Sequence, residues 1–338
     1  MDYSFPHYLL AKQTVDDRAL NRLVYETLRA ELKPVFSFAF PLSKSVPAFE
    51  IIEVGAGIGT MLTRLLRWDF FTTSCVYTLV DEMPENIDYA RAWLPRWGRE
   101  YGWQVEADAV GLRFSAPKSA ATPVVISVRL VQADVFDFIR SSPPPADLLI
   151  AHAFLDLLPM PASLVQLFGL LKPHGLAWLT INFDGVTSLE PPIRFSASPS
   201  VASSAAPSIR FSASESAAPS ADLDTTLERL YHQTMDARPT GGDSQSGRHL
   251  FQHLEQAGGE ILAAGPSDWV VYPTRGSYPA DEAYFLHFIL HFFELSLTGH
   301  PDLNPEVFAA WLAARHAQVE RGELVYLAHQ LDFLARPR

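Results

Sequence analysis

Three glycines at alternate positions, Gly55, Gly57 and Gly59, follow an apolar run in the stretch "EIIEVGAGIGT", residues 50–60. A buried strand that ends in a glycine turn and opens a helix presents bare backbone N–H groups and the positive end of a helix dipole. Dinucleotides and S-adenosylmethionine are the two ligand classes that use such a turn. The stretch therefore predicts a nucleoside-cofactor site, with a tight turn of purely structural purpose as the alternative.

The spacing of the glycines distinguishes the two ligand classes. The dinucleotide fingerprint G-x-G-x-x-G needs its third glycine three residues after the second, and Thr60 occupies that position here. In addition, Glu53 lies two residues before the first glycine, where its carboxylate would repel a pyrophosphate. A sulfonium ligand with an α-ammonium group tolerates such a carboxylate, so the spacing favours S-adenosylmethionine.

The segment "EVGAGIGT" resembles motif I of the class I (Rossmann-like) S-adenosylmethionine-dependent methyltransferases. Later segments follow in that family's order: "TLVDEMP" with Asp81, "VQADVFDF" with Asp134, and "ADLLIAHAFLDLL" at the fourth strand. "LLKPHGLAWLTIN" resembles the family's helix–turn–strand with L-K-P-G-G, although His174 replaces the first glycine. The resemblance covers residues 49–184 closely and 245–273 loosely.

This resemblance implies S-adenosyl-L-methionine as cofactor and S-adenosyl-L-homocysteine as product. It implies that Asp81 binds both ribose hydroxyls and that Asp134 binds the adenine amino group. The cofactor-binding residues expected on this basis are Glu53, Gly55, Ala56, Gly57, Gly59, Asp81, Glu82, Asp134, Val135 and His152. An alternative for each aspartate is to cap the helix that follows it.

Two side chains near the end of the fourth strand are the candidates for catalysis. His152 is the first choice as a base, because the pKa of an imidazole lies near working pH, and Asp156 follows four residues later. The alternative for His152 is a hydrogen bond to a backbone carbonyl or contact with the cofactor.

Polar residues near the two chain regions that would cover the site are the candidates for acceptor binding. They are Tyr8, Lys12, Arg18, Asn182, Tyr231, His232 and Arg238. Ordinary surface charge, a turn at "NFDG" and a solvated loop are the alternatives. The histidine pairs His249/His253 and His287/His291 lack the H-E-x-x-H pattern, so no metal site is expected.

The elements that must position these residues alternate along the chain. An amphipathic helix over 15–33, stopped by Pro34, precedes the first strand. Apolar strands and helices then alternate through residue 183, and this alternation predicts a parallel sheet covered on both faces. The strands are expected at 49–55, 75–81, 124–133, 146–153 and 176–183, and the helices at 58–67, 84–97, 135–140 and 161–171.

The second half of the chain is interrupted by a Ser/Ala/Pro-rich segment, 186–222, which contains "IRFSAS" twice. Its composition predicts a flexible insertion on a surface loop. Beyond it, "EILAAG" and "DWVVYP" are candidate last strands, with an antiparallel pair as one arrangement. Helices are expected at 223–237, 248–257, 280–297, 304–320 and 322–335.

The fold predicted is α/β: a Rossmann-like, doubly wound, mostly parallel seven-stranded sheet with flanking helices. Residues 1–48 form an N-terminal helical cap, 49–275 the methyltransferase domain with its insertion, and 276–338 a C-terminal helical addition packed on the same domain. Aromatic residues of that addition could cover an acceptor pocket, form a homodimer interface or belong to the core.

The composition limits the class of partner. The chain has 338 residues and a formal net charge of −12, without the basic footprint that nucleic-acid binding needs. A single cysteine, Cys75, excludes a disulfide within the chain. No signal peptide or membrane span is expected, so the prediction is a cytoplasmic protein that acts on a small molecule, not on nucleic acid or a membrane.

Transfer of a methyl group to an O, N or C atom of a small-molecule acceptor is therefore the predicted function. The alternatives are a nicotinamide-dependent oxidoreductase on the same fold, a methyltransferase that acts on a protein, and a non-catalytic cofactor-binding interaction protein.

Overall fold

A computed structural model describes residues 2–38, 49–107, 111–116, 124–193 and 220–338. Its helices are α1 (Phe5–Ala11), α2 (Gln13–Ala19), α3 (Arg22–Phe38), α4 (Thr60–Arg67), α5 (Pro84–Glu100), α6 (Val135–Arg140), α7 (Ala162–Phe168), α8 (Ser220–Asp236), α9 (Ser246–Gln256), α10 (Glu282–Leu297) and α11 (Pro305–Glu320). Its strands are β1 (Phe49–Val54), β2 (Cys75–Asp81), β3 (Gln104–Ala107), β4 (Gly111–Ser115), β5 (Val125–Gln132), β6 (Ala146–His152), β7 (Leu171–Glu190), β8 (Gly259–Pro266), β9 (Trp269–Val271) and β10 (Val325–Pro337).

The ten strands form one sheet in the order β3-β4-β5-β2-β1-β6-β7-β10-β8, and β9 pairs with β10 beside this path. The five central strands from β5 to β7 are parallel neighbours. Strand β10 runs antiparallel to both β7 and β8. The α/β class and the mostly parallel sheet are therefore confirmed, whereas the expected count of seven strands is wrong.

The three strands that the sequence did not predict are β3, β4 and β10. Strands β3 and β4 form an antiparallel hairpin at the sheet edge, and β3 buries only Val105, so no apolar alternation marks it. The predicted helix 322–335 is wrong, because β10 occupies this stretch. Leu327, Leu331 and Leu334 have helical spacing, but pairing with a strand on each side outweighs this local pattern.

The two candidate last strands are present as β8 and β9. They do not pair with each other, since each pairs antiparallel with β10. Both pairings need a partner from the far end of the chain, which the local sequence does not indicate.

The N-terminal region contains three helices instead of the single predicted helix. The chain turns between α2 and α3, where the Asn21 side chain accepts a hydrogen bond from the Val24 amide at 3.1 Å. Helix α3 continues through Pro34 to Phe38, so the stop predicted at Pro34 is wrong. A proline removes one backbone donor, and here the helix extends past it.

Helices cover both faces of the sheet, as the doubly wound prediction requires. Ile51 of β1 belongs to a large core shared with α1–α5, α8, α10 and α11. Ile52, on the opposite face, packs in a second core with α6, α7 and α9. Phe285, Phe293 and Trp311 are buried in the large core, which favours the core interpretation of the C-terminal aromatics. The domain boundaries 1–48, 49–275 and 276–338 stay predictions.

The Ser/Ala/Pro-rich segment begins later than expected. Residues 186–190 belong to β7, and helix α8 begins at Ser220. The duplicated "IRFSAS" sequences lie outside the described residues, apart from Ile193.

The strand order reverses at β1. From β1 the chain adds β2 and β5 on one side, and β6 and β7 on the other. In open parallel sheets, ligands bind beyond the carboxyl ends of the strands at such a switch point. The crevice at the carboxyl ends of β1 and β6 is therefore the place for the site.

Candidate functional site

The glycine turn follows β1 at this crevice, and all three glycines have positive φ angles: +62° at Gly55, +55° at Gly57 and +82° at Gly59. Such angles strain residues with a Cβ atom. The Gly57 amide donates to Asp81 Oδ2 at 2.7 Å, which fastens the turn to the end of β2. The backbone conformation alone thus favours glycine at these positions.

Two of the protein's own side chains also lie over the turn. A Cβ atom at Gly55 would be 2.3 Å from Phe154 Cδ2, and one at Gly57 would be 2.7 Å from Leu9 Cδ1. Leu9 comes from α1, and Phe154 from the segment after β6. A nucleoside that approaches the turn must therefore displace these two side chains.

Asp81, at the end of β2, joins the turn to the beginning of α5. Its Oδ1 accepts from the Met83 amide at 3.0 Å and from Asn86 Nδ2 at 2.9 Å, while Oδ2 accepts from Gly57. A carboxylate has about four acceptor positions, so Asp81 can still accept a hydroxyl. Asp81 therefore binds the start of α5 and still has an acceptor position for the ribose contact that the resemblance implies. Glu82, directly after it, is exposed.

Asp134 follows the neighbouring strand β5 and caps α6. Its Oδ1 accepts from the amides of Phe136 and Asp137 at 2.8 and 3.1 Å. Oδ2 makes no hydrogen bond within the described part of the chain, and the residue is exposed. Val135 beside it is buried. One oxygen therefore organises the helix while the other stays available to a ligand donor.

Glu53 lies inside the protein, where it has a structural partner. Its carboxylate accepts from the Tyr77 hydroxyl at 2.7 Å, and the residue is 2% exposed. Burial raises the pKa of Glu53 to about 8, although Tyr77 and Arg64 oppose this rise. At neutral pH the side chain is therefore mostly protonated, so it does not repel an incoming anion as the sequence argument assumed.

His152 at the end of β6 is hydrogen-bonded through both ring nitrogens. Nε2 lies 3.0 Å from Asp16 Oδ2, and Nδ1 lies 2.8 Å from Thr180 Oγ1. Because an ionised carboxylate only accepts, Nε2 carries the proton and Nδ1 accepts from the threonine hydroxyl. Burial lowers the pKa of His152 to about 4. Neither nitrogen is free to take a proton from an acceptor, which favours a structural role.

Asp16 of α2 is the centre of this buried cluster and is fully inaccessible. Besides His152 it contacts Lys12 Nζ at 3.3 Å, and its Oδ1 accepts from Trp269 Nε1 at 2.9 Å. Burial alone would raise the pKa of Asp16, but Lys12, His152 and Arg64 outweigh it and hold this pKa well below its usual range. The ionised carboxylate thus ties α1–α2 and β9 to the end of β6.

Thr180 lies opposite His152 in the β6–β7 pairing, next to a bulge in β7. Between Leu179 and Asn182 the strand has one residue more than β10 opposite it, and Ile181 has a φ of +57°. This angle is unfavourable for a β-branched residue. The Ile181 amide donates to the buried Asp332 Oδ1 at 2.7 Å. Bulges of this kind redirect side chains next to functional sites.

Five of the residues predicted for catalysis or acceptor binding come within electrostatic range of one another. Asp156 is the shared neighbour: its charge acts on the pKa values of Tyr8 and Tyr231, and its own pKa responds to Arg238 and Lys12. Burial raises the pKa of Asp156. Asp156 itself lies just beyond the carboxyl end of β6, two residues after Phe154.

Tyr326 of β10 is a sixth member that the sequence did not indicate, because its strand was predicted as a helix. Burial and the neighbouring Tyr231 raise its pKa above the usual range. The hydroxyls of Tyr8, Tyr231 and Tyr326 have no hydrogen-bond partner among the described residues. We call five of these six residues, Tyr8, Asp156, Tyr231, Arg238 and Tyr326, the tyrosine pocket; Lys12 is left out because it is paired with Asp16.

An aromatic wall supports the tyrosine pocket. The ring of Tyr8 stacks on Phe288 with centroids 4.6 Å apart, and that of Tyr231 stacks on Phe293 at 4.3 Å. Tyr8 is the neighbour of Leu9, which lies over Gly57. Helix α1 therefore links the glycine turn to the pocket.

Three predicted acceptor residues lie elsewhere. Arg18 forms a two-point ion pair with Glu282, at 2.5 and 2.9 Å. Asn182 is buried within β7 and donates to the carbonyls of Leu179 and Leu331. His232 lies 3.3 Å from Thr187 Oγ1 and lines a separate open cleft of ≈ 370 Å³ between β7 and α8.

Among the described residues, no three His, Cys, Asp or Glu side chains come close enough together to hold a metal ion. The same part of the chain contains no helix that is both long and apolar enough to cross a membrane.

Comparison with known proteins finds no matching family model and no matching curated protein. Solved structures do match. An S-adenosylmethionine-dependent methyltransferase from Thiobacillus denitrificans, in complex with S-adenosyl-L-homocysteine, is 13% identical, with a TM-score of 0.45 and 100% of each chain covered. A provisionally assigned methyltransferase from Bacillus halodurans is 13% identical, with a TM-score of 0.43 and 90% of this chain and 99% of that one covered. A cyclopropane synthase from Mycobacterium tuberculosis is 9% identical, with a TM-score of 0.38 and coverages of 90% and 83%.

Several of the matched structures are thus described as S-adenosylmethionine-dependent methyltransferases. At these identities and TM-scores the likenesses assign no substrate and no residue role. The function must be argued from this chain's own side chains.

Proposed function

We propose that this chain is an S-adenosylmethionine-dependent methyltransferase that transfers the methyl group to an O, N or C atom of a small-molecule acceptor. One observation carries the proposal: acidic side chains end the neighbouring strands β2 and β5 beside a three-glycine turn at the sheet's switch point. Asp81 keeps acceptor capacity, and Asp134 keeps one oxygen without a hydrogen bond among the described residues. These carboxylate oxygens can accept hydrogen bonds from a ribose hydroxyl and from the amino group of an adenine.

The residues present would hold the cofactor as follows. Asp81 would accept a hydrogen bond from one ribose hydroxyl at its remaining acceptor position, and Asp134 Oδ2 would accept one from the adenine amino group. The turn of Gly55, Gly57 and Gly59 would admit the remainder once Leu9 and Phe154 rotate away. When bound, S-adenosylmethionine supplies an electrophilic methyl group.

The acceptor side of the reaction falls to the tyrosine pocket. Its aromatic walls would orient a ring or other flat body and exclude water, and holding two reactants in the right geometry lowers the barrier of a displacement. Asp156, whose pKa is raised by burial, would take the proton that an O–H or N–H nucleophile loses. Asp156, rather than His152, is therefore the proposed base.

A second candidate function rests on Phe154 and Leu9, which lie over the glycine turn. A protein that has kept the fold but no longer binds a nucleoside would fill its turn in this way and act by interaction alone.

Calorimetric titration separates these possibilities. S-adenosyl-L-homocysteine is expected to bind the wild-type protein, and NAD is not. Binding of NAD without S-adenosyl-L-homocysteine would favour an oxidoreductase, and absence of both would favour the interaction protein. Asp81→Ala is expected to weaken the binding of S-adenosyl-L-homocysteine by about 1–3 kcal/mol, the contribution of hydrogen bonds to a charged group. Such a decrease in affinity would locate the ligand at this turn.

A further inference from the structure

Arg238, the partly buried arginine of the tyrosine pocket, differs from the fully buried Arg64 and Arg315. Arg64 is paired with Asp17 at 2.5 Å and Arg315 with Asp224 at 2.7 Å. Arg238 makes no ion pair and no side-chain hydrogen bond within the described ranges, and its Nη1 nitrogen is buried. A buried donor without a partner is costly, so a ligand that pairs with Arg238 would recover this free energy.

The backbone around Arg238 is fixed in place. The Gly241 amide donates to the Arg238 carbonyl at 3.1 Å, and the Asp243 amide donates to the Asp156 carbonyl at 3.3 Å. A Cβ atom at Gly242 would lie 3.3 Å from Arg238 Cδ, so this turn packs closely on the arginine stem. The loop after α8 thus holds the guanidinium toward the segment that carries Asp156.

The charges nearby leave Arg238 without a competing anion in contact. Asp156 is in electrostatic range but beyond ion-pair distance, and Lys12, the other cation near it, is already paired with Asp16 at 3.3 Å. The pocket can therefore accept one anionic group at Arg238.

We propose that the acceptor is an aromatic carboxylate that also bears a hydroxyl or amino group, with its carboxylate held by Arg238 at the tyrosine pocket. A planar guanidinium matches a carboxylate with two parallel hydrogen bonds. Flat rings stack on the aromatic wall, and the hydroxyl or amino group finds its proton acceptor in Asp156. This inference rests on the proposed function, which it makes more specific.

The test uses two ligands that differ only at the group Arg238 would bind: 4-hydroxybenzoate and the neutral 4-hydroxybenzamide. Their binding is measured by calorimetry in the presence of saturating S-adenosyl-L-homocysteine. The wild-type protein is expected to prefer the benzoate by about tenfold or more, as a charge-assisted pair implies. Equal affinities, or binding of neither ligand, would overturn the inference.

Two variants locate the preference. Arg238→Gln is expected to bind both ligands alike, because its side chain keeps hydrogen-bonding capacity but loses the charge. Arg229→Gln is the matched control, since Arg229 is an exposed arginine on α8 that contacts Gln233, and it should keep the wild-type preference. Retention of the preference in Arg238→Gln would place the anion elsewhere.

Titration of S-adenosyl-L-homocysteine into the same samples distinguishes failure of the proposed acceptor class from failure of the proposed function. If it binds while the benzoate preference is absent, only the acceptor class is wrong. If it does not bind the wild-type protein, the proposed function itself fails. Failure of Arg238→Gln to fold leaves the wild-type ligand pair as a complete test.

Discussion

Asp16 Oδ2 and His152 Nε2 lie 3.0 Å apart, although the two residues are 136 positions apart in the chain. The contact joins α2 to the carboxyl end of β6 in the protein interior, where Asp16 also accepts a hydrogen bond from Trp269 Nε1. The N-terminal helices are therefore fixed over the crevice at the switch point. This attachment also fixes α1, which carries Leu9 to the glycine turn and Tyr8 to the tyrosine pocket.

Asp16→Asn should destabilise the folded protein by about 3 kcal/mol, because it leaves Lys12 and Arg64 as buried charges with too little compensation. Urea unfolding of the full chain measures the change. The matched control is Asp281→Asn, whose exposed pair with His7 should contribute at most about 1 kcal/mol. Similar small losses in both variants would show that the buried cluster does not hold the N-terminal helices.

Glu53 gives a pH dependence of stability with a definite sign. Its pKa is raised from 4.5 to about 8 in the folded protein, so between these values the folded state binds more protons than the unfolded state. This contribution to stability is complete below about pH 4.5 and is lost as pH rises toward 8, by up to about 1.4 kcal/mol per pH unit. Glu53→Gln should remove this slope, and unfolding curves from pH 5 to 9 measure it.

The exposed neighbour Glu82 supplies the control for this effect. Glu82→Gln should leave the wild-type slope unchanged. If Glu53→Gln also leaves it unchanged, the carboxylate is ionised throughout this range.

The sequence predicted those parts of the molecule whose signal is local. The glycine turn, the aspartates after β2 and β5, and the five parallel strands all depend on neighbouring residues. The turn predicted at "LKPHG" is wrong, because these residues belong to β7 (Leu171–Glu190). Within the strand, His174 has a φ of +67° and stands where the resemblance expects glycine, and histidine is among the residues that accept this conformation.

The parts that the sequence did not predict depend on distant partners. Strand β10 was predicted as a helix, so Tyr326 and Asp332 were missing from the candidate site. Asp16 was absent from the predicted site residues, because its partners Trp269 and His152 lie far along the chain. Leu9 and Phe154 gave no sign that they would contact glycines.

Leu9→Ala should tighten the binding of S-adenosyl-L-homocysteine by about 1–2 kcal/mol. The Leu9 side chain lies over Gly57 and must leave this contact, and exposing a leucine costs about 1.5–3 kcal/mol. Calorimetric affinities measure the effect. Leu10→Ala is the control on the same helix, since Leu10 is already 36% exposed and should change nothing. Weaker binding in Leu9→Ala would mean that Leu9 packs on the bound nucleoside instead of blocking it.

Asp134→Ser separates the two roles of Asp134 in a single residue. Serine is a good N-cap, so its oxygen can still accept from the Phe136 and Asp137 amides that Asp134 Oδ1 binds now. It cannot replace Oδ2, the oxygen proposed for the adenine amino group. Affinity for S-adenosyl-L-homocysteine should therefore fall by about 1–3 kcal/mol, while the urea unfolding midpoint stays within error of wild type. A lower midpoint with unchanged affinity would mean that Asp134 serves only to begin α6, and the adenine contact would then have to come from another residue at the carboxyl end of β5.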